Sequence, residues 1–214
     1  MCSLQANDKN SNWPEVSSQQ KLSATGILLA GGKSSRMGKN KAFLELGGQT
    51  LIEHSLGVLD QTFAEVLISG DQALYGNCGF AVVPDQHREQ GPLAGLEAGL
   101  EKARFDWCFF AACDMPFLDG RGIRFLYDFV SGHDIVAPDS ERGVHPLHAF
   151  YHRRCLNVIK ANLQSGRRRI LDIYPHCQVR YVTEEELAGR GLSQRLFTNV
   201  NTPEEWAALN HREE

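Results

Sequence analysis

Nowhere in the 214 residues does an apolar run approach the ~20 that a membrane helix requires. The longest, Trp107 to Cys113, has the length of a buried strand. Basic charge is not in excess: 22 Lys and Arg stand against 26 Asp and Glu, a formal charge of -4. Bulk charge therefore does not advertise nucleic-acid binding, and any anionic ligand must be held by a local cluster of donors. The six cysteines include no C-x-x-C pair and no regular spacing, so they indicate neither a zinc ribbon nor a disulfide framework; reduced, mostly buried thiols are expected. Met1 to Lys21 lacks a signal-peptide core, being rich in Ser, Gln and Asn, which makes the cytoplasm the expected compartment. There is no internal repeat and no low-complexity linker within 24–212. Two glycine patterns are also missing. Walker A needs four residues before its Gly-Lys pair, whereas five separate Gly26 from Gly32-Lys33 and five separate Gly32 from Gly38-Lys39; G-x-G-x-x-G does not occur at all.

What is present suits a globular α/β chain: 42% of the residues are hydrophobic, and a chain this long buries roughly 70% of its extended surface. Gly26 to Ala30, Glu65 to Ser69, Phe80 to Val83 and Asp106 to Cys113 read as strands buried on both faces. Helical spacing separates them over Thr50 to Gln61 and Leu93 to Ala103. Further strands are expected at His133 to Pro138, His148 to Tyr151 and Val179 to Val182, with a helix over Arg153 to Leu163. Thr202-Pro203-Glu204-Glu205 carries the cap of a final helix. Strands alternating with helices predict a Rossmann-like, three-layer α/β/α fold with a mostly parallel central sheet. Residues 1–22 read as a solvated tail and 23–214 as a single domain. In such a sheet, ligands bind beyond the carboxyl ends of the strands, which here means after Ala30, Ser69, Val83 and Cys113.

The first of these ends leads into Leu29-Ala30-Gly31-Gly32-Lys33-Ser34-Ser35-Arg36-Met37-Gly38-Lys39-Asn40-Lys41. Its glycines let backbone N–H groups approach an anion closely, and its basic side chains offer the countercharge a nucleoside triphosphate needs. Gly32 and Lys33 lie at its centre; Lys33, Arg36 and Lys41 are candidates to stabilise a departing pyrophosphate. Asp114 leaves the buried strand just before Met115-Pro116, where it could hold Mg²⁺ or simply cap a turn. Asp85, after Val82-Val83-Pro84, has the same placement. Gly91 and Gly95 would let a base or ribose lie against the backbone, although close helix–sheet packing also selects glycine.

Together LAGGKSSRMGKNKAFLEL, GPLAGL, CDMPFL, HPLHAFY and NVNTPEE resemble the molybdenum cofactor guanylyltransferase family, in order from about Ala24 to the C-terminus. The resemblance implies a fold of the nucleotide-diphospho-sugar transferase type. It implies transfer of GMP from GTP to the phosphate of molybdopterin with Mg²⁺ as cofactor, and transient contacts with cofactor-biosynthesis or molybdoenzyme-maturation proteins. It puts Leu29, Ala30, Gly31, Lys41, Asp85 and Asp114 at the nucleotide, with Asp114 also at the metal. Where the family presents an asparagine after the second strand, this chain has Ser69, a candidate contact. Asn201, within Asn199-Val200-Asn201, resembles a late segment near the metal and is equally ordinary turn chemistry. His145 resembles a position on the pterin side of the cleft. His145, His148 and His152 have zinc-like helical spacing, but Pro146 favours a strand there. Arg167-Arg168-Arg169 would suit a phosphate on the second substrate, or be a solvated charge run. A cytidylyltransferase and a non-catalytic GTP-binding regulator remain alternatives.

Overall fold

The computed structural model describes residues 20–30, 41–46, 48–84, 91–200 and 205. In chain order they form β1 (Leu22–Leu29), β2 (Glu45–Leu46), β3 (Gln49–Thr50), α1 (Leu51–Thr62), β4 (Phe63–Ser69), α2 (Gln72–Tyr75), β5 (Ala81–Val83) and α3 (Pro92–Lys102). Then follow β6 (Trp107–Ala112), α4 (Gly120–Tyr127), β7 (Ile135–Ser140), β8 (Gly143–Val144), β9 (His148–His152), α5 (Leu156–Gln164), β10 (Val179–Thr183) and α6 (Glu184–Ala188). An eight-stranded sheet has the order β10-β7-β9-β6-β1-β4-β5, with β8 paired to β7. β1 is parallel to β4 and β6, β4 to β5, and β7 to β10. β9 is antiparallel to both of its neighbours, β6 and β7, so β7 and β10 run in the same direction as β1. The sheet is therefore mostly parallel, as the alternation of elements predicts.

Adjacent strand residues face opposite ways, and this alternation builds two cores. Leu28, Ile68, Phe109 and Phe150 pack with Leu56 and Leu59 of α1 and with Ile123 and Leu126 of α4. Ile27, Leu67, Phe110 and Tyr151 pack on the other face with Leu93, Leu96 and Leu100 of α3 and with Ile159 of α5. Each such side chain, fully buried, contributes roughly 1.5–3 kcal/mol of transfer free energy, which explains the unbroken apolar runs in the sequence. α1 starts at a capping box: Glu53 N–H donates to Thr50 Oγ1, and Thr50 N–H donates to Glu53 Oε2. α3 starts at Gly91, whose φ of 75° is in the left-handed region, with Pro92 at its first turn. Its glycine face lets it lie close to the sheet. A Cβ on Gly99 would stand 2.8 Å from the Phe110 ring and 2.9 Å from Ile27.

Several boundaries differ from the sequence pattern. β1 begins at Leu22, inside the expected tail, because Leu22 pairs with Phe63 and the Thr25 hydroxyl donates to Glu65 Oε2 at 2.6 Å. A polar residue satisfied in this way is invisible to a search for apolar runs. The helix expected from Arg153 opens as a tight 3-10 turn over Arg153–Cys155 before α5 begins. α4 is not among the expected helices, although Ile123 and Leu126 stand three apart, because its start carries Gly120 and Gly122 behind the Asp119 cap. The final helix expected from Thr202 lies outside the described residues apart from Glu205, which is helical. Among the described residues, no helix is long and apolar enough to cross a membrane.

Candidate active site

Strand order decides where a ligand can reach this sheet. From β1 the chain passes through α1 to β4 on one side, and later from β5 through α3 to β6 on the other. The order reverses at β1, so a crevice opens beyond the carboxyl ends of β1 and β6. The strand tips are level there. Cys113 N–H donates to Leu29 O at 3.2 Å, Ala30 N–H to Ser69 O at 2.9 Å and Gly70 N–H to Val83 O at 3.1 Å.

Asp114 and Lys41 meet at this crevice. Lys41 Nζ lies 3.9 Å from Asp114 Oδ2, with side-chain exposures of 16% and 21%. Asp114 Oδ1 is buried and, among the described residues, has no hydrogen-bond partner. Burial pushes the Asp114 carboxyl above its ordinary value; Lys41 opposes that rise, and the Glu205 charge adds to it. A buried carboxylate oxygen without a donor is unfavourable unless a cation completes its coordination. Mg²⁺ fits this donor set, because it takes oxygen ligands and is commonly held by one or two carboxylates together with substrate phosphates. The neighbouring Cys113 thiol is held up to about 12 by burial and by Asp114, so it is not a nucleophile at neutral pH. The Asn199–Val200 segment returns to the same point, with Val200 N–H donating to Asp114 O at 2.9 Å.

The other sequence candidates divide into three groups. Leu29 and Ala30 lie at the tip of β1, each only 8% exposed, and Gly91 is exposed at the start of α3. Ser69 and Gly95 face each other instead: Ser69 is 2% exposed, and a Cβ on Gly95 would stand 3.3 Å from its Oγ and 2.9 Å from Leu29 Cδ2. Close helix–sheet packing accounts for that glycine. Gly31, Gly32, Lys33, Arg36, Asp85 and Asn201 lie outside the described residues. Arg167, Arg168 and Arg169 are exposed, and the Arg168 carbonyl lies 3.6 Å from where a Cβ on Gly91 would be.

Sequence reasoning missed the support beneath this site. Tyr75 is buried, donates its hydroxyl to Ala30 O at 2.9 Å, and stacks on Phe43 with ring centroids 6.0 Å apart. Phe43 belongs to the 3-10 turn Lys41–Phe43, so Tyr75 links the tip of β1 to the turn that presents Lys41. Gly70 makes room for it, since a Cβ there would come within 2.9 Å of the Tyr75 ring. The available signal was an aromatic residue shortly after Ser69-Gly70-Asp71, too common a pattern to single out. Beyond β7 a hollow of about 190 Å³ is lined by Ser140, Arg142, His145, Gln194, Arg195 and Phe197. His145 stacks on Phe197 at 4.3 Å and its Nε2 is 2.8 Å from Ser140 Oγ; burial lowers its basicity. His148 lies behind it against Phe109 and Phe197, whereas His152 sits at the far end of β9 against Trp107.

Residues 26–199 match the model of the MobA-like NTP transferase domain family. The chain is 41% identical over 183 residues to a probable molybdenum cofactor guanylyltransferase of Pelotomaculum thermopropionicum, covering 85% of this chain and 89% of the relative. It is 36% identical to a molybdenum cofactor guanylyltransferase of Desulfosudis oleivorans, over 85% of this chain and 91% of that protein. Among solved structures it is similar to molybdopterin-guanine dinucleotide biosynthesis protein A of Archaeoglobus fulgidus, with a TM-score of 0.77, 25% identity and coverage of 88% of this chain and 97% of the other. The chain thus belongs to the molybdenum cofactor guanylyltransferases of the MobA-like NTP transferase family.

Proposed function

We propose that this chain transfers GMP from GTP to the phosphate of molybdopterin, forming the guanine dinucleotide cofactor and releasing pyrophosphate. The observation that carries this reading is the Lys41–Asp114 pair at the reversal of strand order, with one Asp114 oxygen buried and unpartnered. An oxygen of the acceptor phosphate bonds to the α-phosphorus of GTP as the bond to the bridging oxygen of the β-phosphate breaks. Pyrophosphate departs with that electron pair. The acceptor is already ionised at neutral pH, so no general base is needed, and catalysis rests on positioning and charge neutralisation. Leu29, Ala30, Gly31, Gly32, Asp85 and the exposed Gly91 receive the nucleotide. Lys33, Arg36 and Lys41 neutralise charge gathering on the pyrophosphate. Asp114, with Asn201 as a second candidate, would hold Mg²⁺, which when bound supplies Lewis-acid neutralisation of the phosphates. The hollow beside His145, Arg142 and Arg195 suits the acceptor, because the Phe197–Val200 segment joins it to Asp114. We take the compartment to be the cytoplasm.

The test is pyrophosphate release by the full chain with molybdopterin, Mg²⁺ and either GTP or CTP. GTP should support turnover and CTP should not. Turnover with CTP would make the chain a cytidylyltransferase, and GTP binding without release would make it a regulator. Asp114→Asn should lower kcat/KM by at least about a hundredfold with unchanged circular dichroism, the loss of several kcal/mol expected when a metal ligand is removed. Near-normal turnover in that variant would remove Asp114 from the site.

A further inference from the structure

At the opposite end of the strands from Asp114, before the starts of β7 and β10, two thiols face each other. Cys155 caps α5, is 1% exposed and directs its sulfur at Asp134 O, 3.4 Å away. Cys177 ends the 3-10 turn Ile170–His176, is half-buried, and donates its N–H to Tyr174 O at 3.2 Å. Their sulfurs are 4.0 Å apart. A disulfide needs about 2.05 Å, so the sulfurs would have to approach by about 2 Å for the bond to form. The flanking backbone is held in register by Asp134, which accepts from Gln178 N–H and from Arg154 Nε through its carboxylate. Cys108 has no such partner: its sulfur contacts Phe105 O, and burial pushes it up to about 12.

We propose that Cys155 and Cys177 form an oxidisable pair, a modification site for hydrogen peroxide in which Cys177 reacts first and Cys155 resolves. The two sulfurs are not equivalent. Cys177 is half-buried whereas Cys155 is 1% exposed, so a peroxide reaches the Cys177 sulfur first. The Cys177 thiolate attacks a peroxide oxygen, the O–O bond breaks, and hydroxide leaves to become water with the thiol proton. Cys155 Sγ then attacks the sulfenic sulfur, and that hydroxyl leaves as water with the Cys155 proton. Two thiols are oxidised to one disulfide and one peroxide is reduced to two waters. The bond would close a loop holding α5, Arg167–Arg169 and the Ile170–His176 turn. The tip of that loop reaches Gly91 through Arg168, so the disulfide restrains a segment rooted far from the crevice and ending at its rim. This inference is independent of the transfer reaction.

The experiment treats the reduced full-length chain with substoichiometric hydrogen peroxide, then maps peptides without reductant. The expected product is a linked pair containing Cys155 and Cys177, reversed by dithiothreitol, with slower hydrogen exchange across 156–176. In Cys155→Ser, dimedone should label Cys177; in Cys177→Ser it should leave Cys155 unlabelled. Retention of both thiols after Cys78 has oxidised would overturn the pair. Dimedone labelling of Cys155 in preference to Cys177 would overturn the assigned order, and a linked pair with unchanged exchange would overturn the restraint. The wild-type map needs no substitution, so it stays decisive if either serine variant folds poorly.

Discussion

In the proposed reaction Asp114 meets two opposing demands: it must be ionised to serve phosphates and a cation, yet it is buried, with one oxygen unpartnered among the described residues. Burial raises its folded pKa, so the folded state releases that proton later than the unfolded chain. The resulting penalty is absent below the unfolded value of about 3.9, grows as pH rises through the folded value, and is complete above it. Asp114→Asn should therefore melt higher than wild type at neutral pH, by about 2–4 °C for each kcal/mol relieved. Calorimetry should find that gap closing below about pH 4, where both side chains are neutral. Lys41 is the counterweight, since its charge lowers the Asp114 pKa. In Lys41→Met the acidic limb of the kcat/KM profile should move to higher pH along with the loss of rate. An unmoved limb would mean that Asp114 does not titrate in that profile.

At the scale of elements, α3 links sheet packing to the crevice. Gly99 faces Phe110 and Ile27 deep in the core, whereas Gly95 faces Leu29 and Ser69 at the strand tips. Alanine at either site overpacks the interface at a cost of about 1–3 kcal/mol, partly offset by the roughly 1 kcal/mol that alanine gains over glycine in a helix. The urea midpoint should fall in both variants with an unchanged slope. Only Gly95→Ala should also raise KM for GTP, because only there does the displaced helix adjoin the tips of β1 and β4. Gly95 was readable from the sequence; that it packs against Leu29 and Ser69 at the strand tips was not, because that depends on how far along the sheet α3 lies.

Across the whole molecule, His148 makes folding sensitive to acid. It is fully buried, neither ring nitrogen has a partner among the described residues, and burial holds its pKa down to about 3, with His145 adding to the shift and Asp119 opposing it. The unfolded chain takes up this proton near pH 6.5 and the folded chain does not. Stability is thus lost progressively from about pH 6.5 toward pH 3, by a few kcal/mol in all. His148→Leu should flatten that part of the pH–stability curve, measured by urea unfolding; an unchanged slope would show that the histidine finds a partner. Much of this molecule was legible beforehand. Apolar runs and caps located β1, β4, β6, α1 and α3, and the strand ends marked Ala30 and Asp114, because periodicity and turn chemistry reside in neighbouring residues. Ser69 and Thr25 were less readable, since a polar side chain satisfied in the interior looks the same in sequence as one facing solvent or ligand. By itself the sequence determined the alternation of strands and helices along the central sheet and which loops follow its strand ends. The tertiary structure alone decided that Lys41 meets Asp114, that Tyr75 braces Ala30 and that Cys155 touches Cys177, because each is a pairing of distant segments brought together by strand order and two-sided packing.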